Sequence, residues 1–156
     1  MSETDVQPFE VSIPQEDLER QRRPYPHTKG RCTVDWKLEL VAIPVSDVDR
    51  AKTFYTEKVG FDADHDHRVS EEIRFVQLTP PGSACSIALG TGIIDTPPGS
   101  VQGMQLVVSD IEAAHTELVE RGVEVSEVQN FDWGSFVFFS DPDGNGWSVQ
   151  QLPARE

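Results

Sequence analysis

The stretch "VAIPVSDVDRAKTFYTEKVGF", residues 41–61, decides the fold, because the chain repeats it as "MQLVVSDIEAAHTELVERGV" at 104–123. Each copy runs from an apolar segment through Ser-Asp into a helical pattern closed by glycine. Ser46-Asp47 matches Ser109-Asp110 at an offset of 110 − 47 = 63, while Gly60 matches Gly122 at 122 − 60 = 62, so the second helix is one residue shorter. Self-similarity of this kind means one supersecondary unit used twice. The first copy also carries the local signals of a strand and a helix. Leu38 to Val45 is mostly apolar and short enough for a strand. Asp47 stands where its carboxylate can accept from the first free N–H groups of a helix. Ala51, Phe54, Tyr55 and Val59 then share one helical face, and Gly60 suits a left-handed C′ position. The second copy repeats this with Asp110, Ile111, Ala114, Leu118 and Gly122.

A further pair of matching stretches follows, "RFVQLTPPGSACSIA" at 74–88 and "SFVFFSDPDGNGWSVQ" at 135–150, aligned with one extra residue in the second turn. Pro80-Pro81-Gly82 and Pro142-Asp143-Gly144 mark tight turns between the last two strands of each copy. "GTGIIDTPPGS" at 90–100 reads as a linker. The expected fold class is α+β: two tandem βαβββ modules, about 35–90 and 101–152, forming an eight-stranded open cup in a domain over 35–154. A polar N-terminal arm over 1–34 precedes it. The arm's "PQEDLERQRRPYPHTKGR" has few apolar anchors, and one short helix is expected near Gln15–Arg22.

Composition excludes some partners. The 156 residues include 27 acids and 13 bases, a formal net charge of −14. Residues 1–31 hold 6 acids and 5 bases, so the rest carries 27 − 6 = 21 acids and 13 − 5 = 8 bases, net −13. Such a field repels nucleic acid and anionic lipid, and neither is expected as a partner. No apolar run approaches the roughly 18 residues of a membrane span. The opening "MSETDVQPFE" has no basic-then-apolar leader pattern. Cys32 and Cys85 form no CxxC pair and read as reduced thiols. Together these imply a cytoplasmic protein.

The βαβββ repeat, with "PVSDVDRAKTFYTEKVGF" opening one module and "FFSDPDGNGW" closing the other, resembles the vicinal oxygen chelate superfamily. That group includes glyoxalase I, extradiol dioxygenases, fosfomycin-inactivating transferases and bleomycin-sequestering proteins. The resemblance spans about 35–152 and implies a cup that, in the metal enzymes, holds a divalent cation. It places the ligands seven residues before the Ser-Asp aspartate, at Leu40 and Gly103. It also places them seven residues after the first aspartate of the DPDG turn, at Ser148, and by the internal repeat at Ser86. Leucine and glycine side chains donate no lone pair, and neutral hydroxyls are poor ligands beside imidazole and carboxylate. No metal and no other cofactor is therefore expected. The resemblance also leaves open a homodimer, since members often dimerise or swap modules.

Side chains two residues apart on a strand share a face. The next positions are Ala42, Ala88, Gln105 and Gln150. The two carboxamides either satisfy each other and the backbone or hydrogen-bond a ligand, since a buried amide without a partner costs about 1–3 kcal/mol. In "FDADHDHR", 61–68, alternation puts Asp62, Asp64 and Asp66 on one face and Phe61, Ala63, His65 and His67 on the other. With the aspartates in water, the histidines face the cup or its rim, as packed residues or as a general base. In "RFVQL", either Arg74 or Gln77 faces the cup. Trp133, in "NFDWGSF", either closes over a flat ligand or plugs its own loop.

Three functions stand open. The first is a small-molecule binding protein whose cup holds an organic ligand through Gln105, Gln150, Ser148, Ser86, Gln77, Arg74 and Trp133, without metal. The second is a metal-independent isomerase, lyase or cyclase using His65 or His67 as base, with Gln105 and Gln150 orienting the substrate. The third is a metal-dependent lyase or dioxygenase whose ligands lie elsewhere.

Overall fold

Asp47 and Asp110 start the two helices as their spacing predicts. In the computed structural model, which describes residues 34–155, the Asp47 carboxylate accepts from Arg50 N at 3.0 Å and that of Asp110 from Ala113 N at 3.0 Å. The predicted arm over 1–34, with its helix near Gln15–Arg22, lies outside the described residues except for Val34. Each aspartate follows the first strand of a module and opens its helix. The first module comprises β1 (Leu40–Ala42), α1 (Val48–Thr53) continuing as a π-helical segment (Phe54–Val59), β2 (Asp62–Arg68), β3 (Arg74–Thr79) and β4 (Ser86–Thr91). The second comprises β5 (Met104–Val107), α2 (Ile111–Glu120), β6 (Gln129–Phe131), β7 (Gly134–Ser140) and β8 (Gly146–Gln151).

The one-residue difference between the helices has a definite form. In the second copy, Val123 N donates to Leu118 O at 2.9 Å; in the first, Phe61 N donates to Tyr55 O at 2.8 Å, and Gly60 N to the same carbonyl at 3.0 Å. The extra residue therefore lies between Tyr55 and Phe61 and widens the last turns of the helix into a π-helix, whose hydrogen bonds span one residue more than those of an α-helix. Gly60 (φ 92°) and Gly122 (φ 81°) then turn the chain back in the left-handed region.

The eight strands are divided into two four-stranded sheets, in the orders β1-β4-β3-β2 and β5-β8-β7-β6. Within each, the first strand runs parallel to the last and the other pairs are antiparallel. Alternation gives every sheet two faces. Ile43, Val76, Leu78, Ile87 and Leu89 from the first sheet, and Val137, Phe139, Trp147 and Val149 from the second, join one buried cluster with Tyr55, Phe54 and Leu118. Both helix-covered faces thus share a single core. The other two faces, each half of the expected cup, are turned away from it.

The seam between modules is built from the two motifs that mark the repeat. Asp143 of the DPDG turn accepts from Ser46 N at 3.2 Å, from the Ser46 hydroxyl and from Arg50 Nη2 at 3.3 Å. Asp141 is buried. It accepts from the Tyr55 hydroxyl (2.8 Å), Asn145 Nδ2 (2.8 Å), Asp143 N (2.9 Å) and Asn145 N (2.9 Å). Trp147 Nε1 donates to the same Tyr55 oxygen at 2.9 Å, and Asn145 Nδ2 reaches Pro44 O at 2.8 Å. Burial, and then the neighbouring Asp141 charge, push the Tyr55 phenol far above its ordinary pKa, so it stays a neutral donor. Among the described residues no buried side-chain nitrogen or oxygen lacks a partner.

A charged cluster closes the edge of the first helix layer. Arg74 donates to Asp66 through Nε (3.0 Å) and Nη2 (2.9 Å) and to Asp49 through Nη1 (2.8 Å), while Lys52 Nζ reaches Asp66 at 2.9 Å. Hydrogen bonds from Arg74, then from Lys52, hold the Asp66 carboxyl well below the usual carboxylate range. Because the folded state lowers this pKa, the stabilisation is complete above about pH 4 and is lost as pH falls below it. Asp66→Asn is expected to cost about 1 kcal/mol at pH 7 and to flatten the fall in stability below pH 4. Urea melts at pH 7 and pH 3 measure both.

Candidate functional site

Strand register assigns each predicted side chain to a face. Gln77 pairs with Ala88 and with His65, and its Nε2 donates to Ser86 Oγ at 3.2 Å, so Gln77, Ser86, His65 and His67 lie on the open face of the first sheet. Leu40 and Ala42 stand beside Ser86 and Ala88 on that face. Arg74 does not. It shares the opposite face with buried Val76 and Leu78 and is held by Asp66 and Asp49, so of the two candidates on this strand Gln77 is the one on the open face.

The alternation read in 61–68 also needs correction. The register slips between Ala63 and His65, leaving Asp64 as an extra bulged residue. Asp62 therefore shares the face of His65 and His67, while Asp66 lies on the other face, exposed and paired with Arg74 and Lys52. The Asp64 carboxylate accepts from the Thr79 hydroxyl. His65 and His67 are exposed, with stacked rings 5.7 Å apart.

Ser148 needs a different repeat partner. Gln77 and Phe138 hold equal places in "RFVQL" and "SFVFF"; the first pairs with Ala88 and the second with Ser148. From 77 to 88 is 11 residues and from 138 to 148 is 10, so the extra residue lies in the first hairpin, not the second. Ala88, not Ser86, is the repeat counterpart of Ser148. The four positions carried over from the resemblance become Leu40, Ala88, Gly103 and Ser148, with one neutral hydroxyl among them. This donor set does not fit a divalent cation. Among the described residues no group of three or more His, Cys, Asp or Glu is placed to hold a metal ion.

The second sheet's open face is the richer one. Gln105 stands opposite Ser148, and Gln150 opposite Phe136. Gln105 Nε2 donates to Gln150 Oε1 at 2.6 Å, and Gln150 Nε2 donates to Trp133 O at 2.9 Å. This relay fixes both carboxamides and leaves Gln105 Oε1 with only a long contact, 3.5 Å, from Ser148 Oγ. Around it lie four aromatic rings. Phe131 and Trp133 stack at 5.0 Å and 11°, Phe131 meets Phe136 edge-on at 5.8 Å, and Phe136 stacks on Phe138 at 6.0 Å. Trp133 and Phe138 are 58% and 40% exposed, so their faces are open to a ligand. The recess holds about 380 Å³ and, among the described residues, has no ionisable side chain in its lining. The sequence pointed to Gln105, Ser148, Gln150 and Trp133, placed Phe131 beside Trp133 without a role, and passed over Phe136 and Phe138. The alternation in "SFVFFS" was the available signal for the last two.

Comparison with known proteins agrees with this architecture. The family model for the Glyoxalase/Bleomycin resistance protein/Dioxygenase superfamily matches residues 37–149. The uncharacterized protein YetH of Bacillus subtilis (strain 168) is 33% identical over 123 residues, covering 74% of this chain and 98% of that relative. The crystal structure of TnmS3, an antibiotic binding protein from Streptomyces sp. CB03234, is 37% identical with a TM-score of 0.71, covering 79% of this chain and all of that one. A glyoxalase/bleomycin resistance protein from the same Streptomyces is 40% identical with a TM-score of 0.66, covering 74% and 100%. No helix among the described residues is long and apolar enough to cross a membrane.

Proposed function

Because the chain belongs to the Glyoxalase/Bleomycin resistance protein/Dioxygenase superfamily, we propose that it binds a flat, uncharged, hydroxylated aromatic molecule on the open face of its second module, without a metal ion. The observation that carries this reading is the ring of Phe131, Trp133, Phe136 and Phe138 around a fixed carboxamide, with no charge in the lining among the described residues. Aromatic faces favour offset stacking with a planar ligand, and Gln105 Oε1 is free to accept from its hydroxyl. A charged ligand would lose its water and find no counter-charge. The 37% identity to an antibiotic binding protein supports a binding rather than a chemical role.

A second copy of the chain completes the site. The recess has no cover from its own first module, whose matching face, with Leu40, Gln77 and Ser86, is turned away. A two-fold dimer pairing each first-module face with the partner's second-module face gives two equal cups. His65 and His67 then stand at the rim of the partner's recess.

Fluorescence titration with hydroxylated tricyclic arenes and their carboxylated analogues, alongside sedimentation, tests the reading. The neutral compounds are expected to bind about tenfold or more tightly than the carboxylated ones, to a dimer. Equal binding of both sets, or a monomer that binds fully, would overturn the corresponding part. Stoichiometric iron, manganese, nickel or zinc in the purified protein would overturn the metal-free part.

A further inference from the structure

A second cavity, of about 160 Å³, lies in the seam on the helix side of the sheets, across the second sheet from the aromatic recess. Its walls include Val59, Phe61, Leu106, Leu118, Phe139 and Val149, with Pro80 and Pro81 at one end. The repeat explains why it is there. Tyr55 lies eight residues after Asp47, and Leu118 lies eight after Asp110; Asp141 opens the turn after "FVFFS", and Pro80 opens the turn after "FVQLT". Leu118 and Pro80 are thus the counterparts of Tyr55 and Asp141. In one half of the molecule a phenol ring and a carboxylate fill the seam, while in the other an aliphatic side chain and a proline leave it hollow.

The mouth of the hollow carries Lys58, Arg121 and Glu117, a net charge of +1 in a domain that is otherwise strongly acidic. Neither cation has a carboxylate within 4.0 Å among the described residues, whereas Arg50 and Lys52 each have one and Arg74 has two. Lys58 and Val59 reach the cavity from the π-helical segment, a rare geometry frequent at functional sites. An apolar cavity of about 150 Å³ is large enough for benzene. We propose that this cavity is a binding site for a small aromatic monocarboxylate of benzoate size. Its ring takes the place that Tyr55 fills in the other half, and its carboxylate lies between Lys58 and Arg121.

The test titrates the full chain with sodium benzoate, benzyl alcohol and sodium acetate, following backbone amide and methyl shifts by NMR. Benzoate is expected to move the signals of Leu118, Leu106 and Val149 at low-millimolar concentration or below, and the other two compounds to bind about fivefold or more weakly. Arg121→Gln and Lys58→Gln should each weaken benzoate a few-fold, and Glu117→Gln should strengthen it. Leu118→Phe, which fills the hollow with a ring, should abolish binding while leaving the folded spectrum intact. If Leu118→Phe fails to fold, the three charge variants decide. Benzoate binding no tighter than acetate, shifts confined to the Gln105 and Trp133 face, or affinity indifferent to Arg121 and Lys58 would overturn the proposal. None of these results bears on the neutral ligand of the aromatic recess.

Discussion

Asp141→Ala is expected to lower the free energy of unfolding by about 3–5 kcal/mol, read as a large fall in urea midpoint with little change in slope. The carboxylate accepts four hydrogen bonds in a buried setting, and alanine leaves all four donors without it. Two of the donors are backbone N–H groups of the turn, so the turn loosens as well. The loss reaches the other module, because the Tyr55 hydroxyl that donates to Asp141 also receives the Trp147 indole. Tyr55→Phe should cost less, about 1–3 kcal/mol, since it removes one donor and leaves Asp141 three. The two effects should not add, because the residues belong to one network. Full additivity in a double-mutant cycle would show that the phenol and the carboxylate act separately.

Trp133→Ala is expected to weaken the neutral aromatic ligand by about tenfold or more, with unfolding free energy changed by less than about 1 kcal/mol. Trp133 is more than half exposed and, among the described residues, its ring stacks only on Phe131, so the fold depends little on it. The group that orients Gln150 is the Trp133 carbonyl, which alanine retains. The variant therefore removes a stacking surface and leaves the carboxamide relay in place. Gln150→Leu makes the opposite cut, removing the relay and keeping the ring. A ligand indifferent to Trp133→Ala in titration calorimetry would mean that the ring plugs its own loop.

Much of the fold was legible because its signals are local. Asp47 and Asp110 as caps, Gly60 and Gly122 as stops, and the apolar faces of both helices depend on residues within a few positions of each other. Gln105 and Gln150 were recoverable as a pair because both lie two steps along strands already placed. What escaped was set by contacts between distant segments. Asp64 looks like one more alternating aspartate, and only pairing against Thr79 and Gln77 makes it a bulge. The two hairpins differ by one residue, and a proline-rich turn offers no mark of which is longer; that moved the counterpart of Ser148 from Ser86 to Ala88. Arg74 and Gln77 sit three apart on one strand, and the choice between them rests on where Asp66 turns. The "DPDG" turn pointed along its strand toward a ligand position, yet its first aspartate is used where it stands, by a tyrosine 86 residues earlier. The sequence held no sign that both helix layers would meet in one core, since that depends on how two similar surfaces fit.

The π-helical turns at Phe54–Val59 bear on how the two halves were able to diverge. A residue added to an ordinary α-helix rotates everything beyond it by about 100°, which would carry Gly60 and Phe61 away from their places. Here the widened turns absorb the added length, and the chain on either side keeps its register. Length is thus a variable that this one stretch can change while the rest of the domain stays fixed. A duplicated unit needs such a place if its copies are to acquire different surroundings before they acquire different folds.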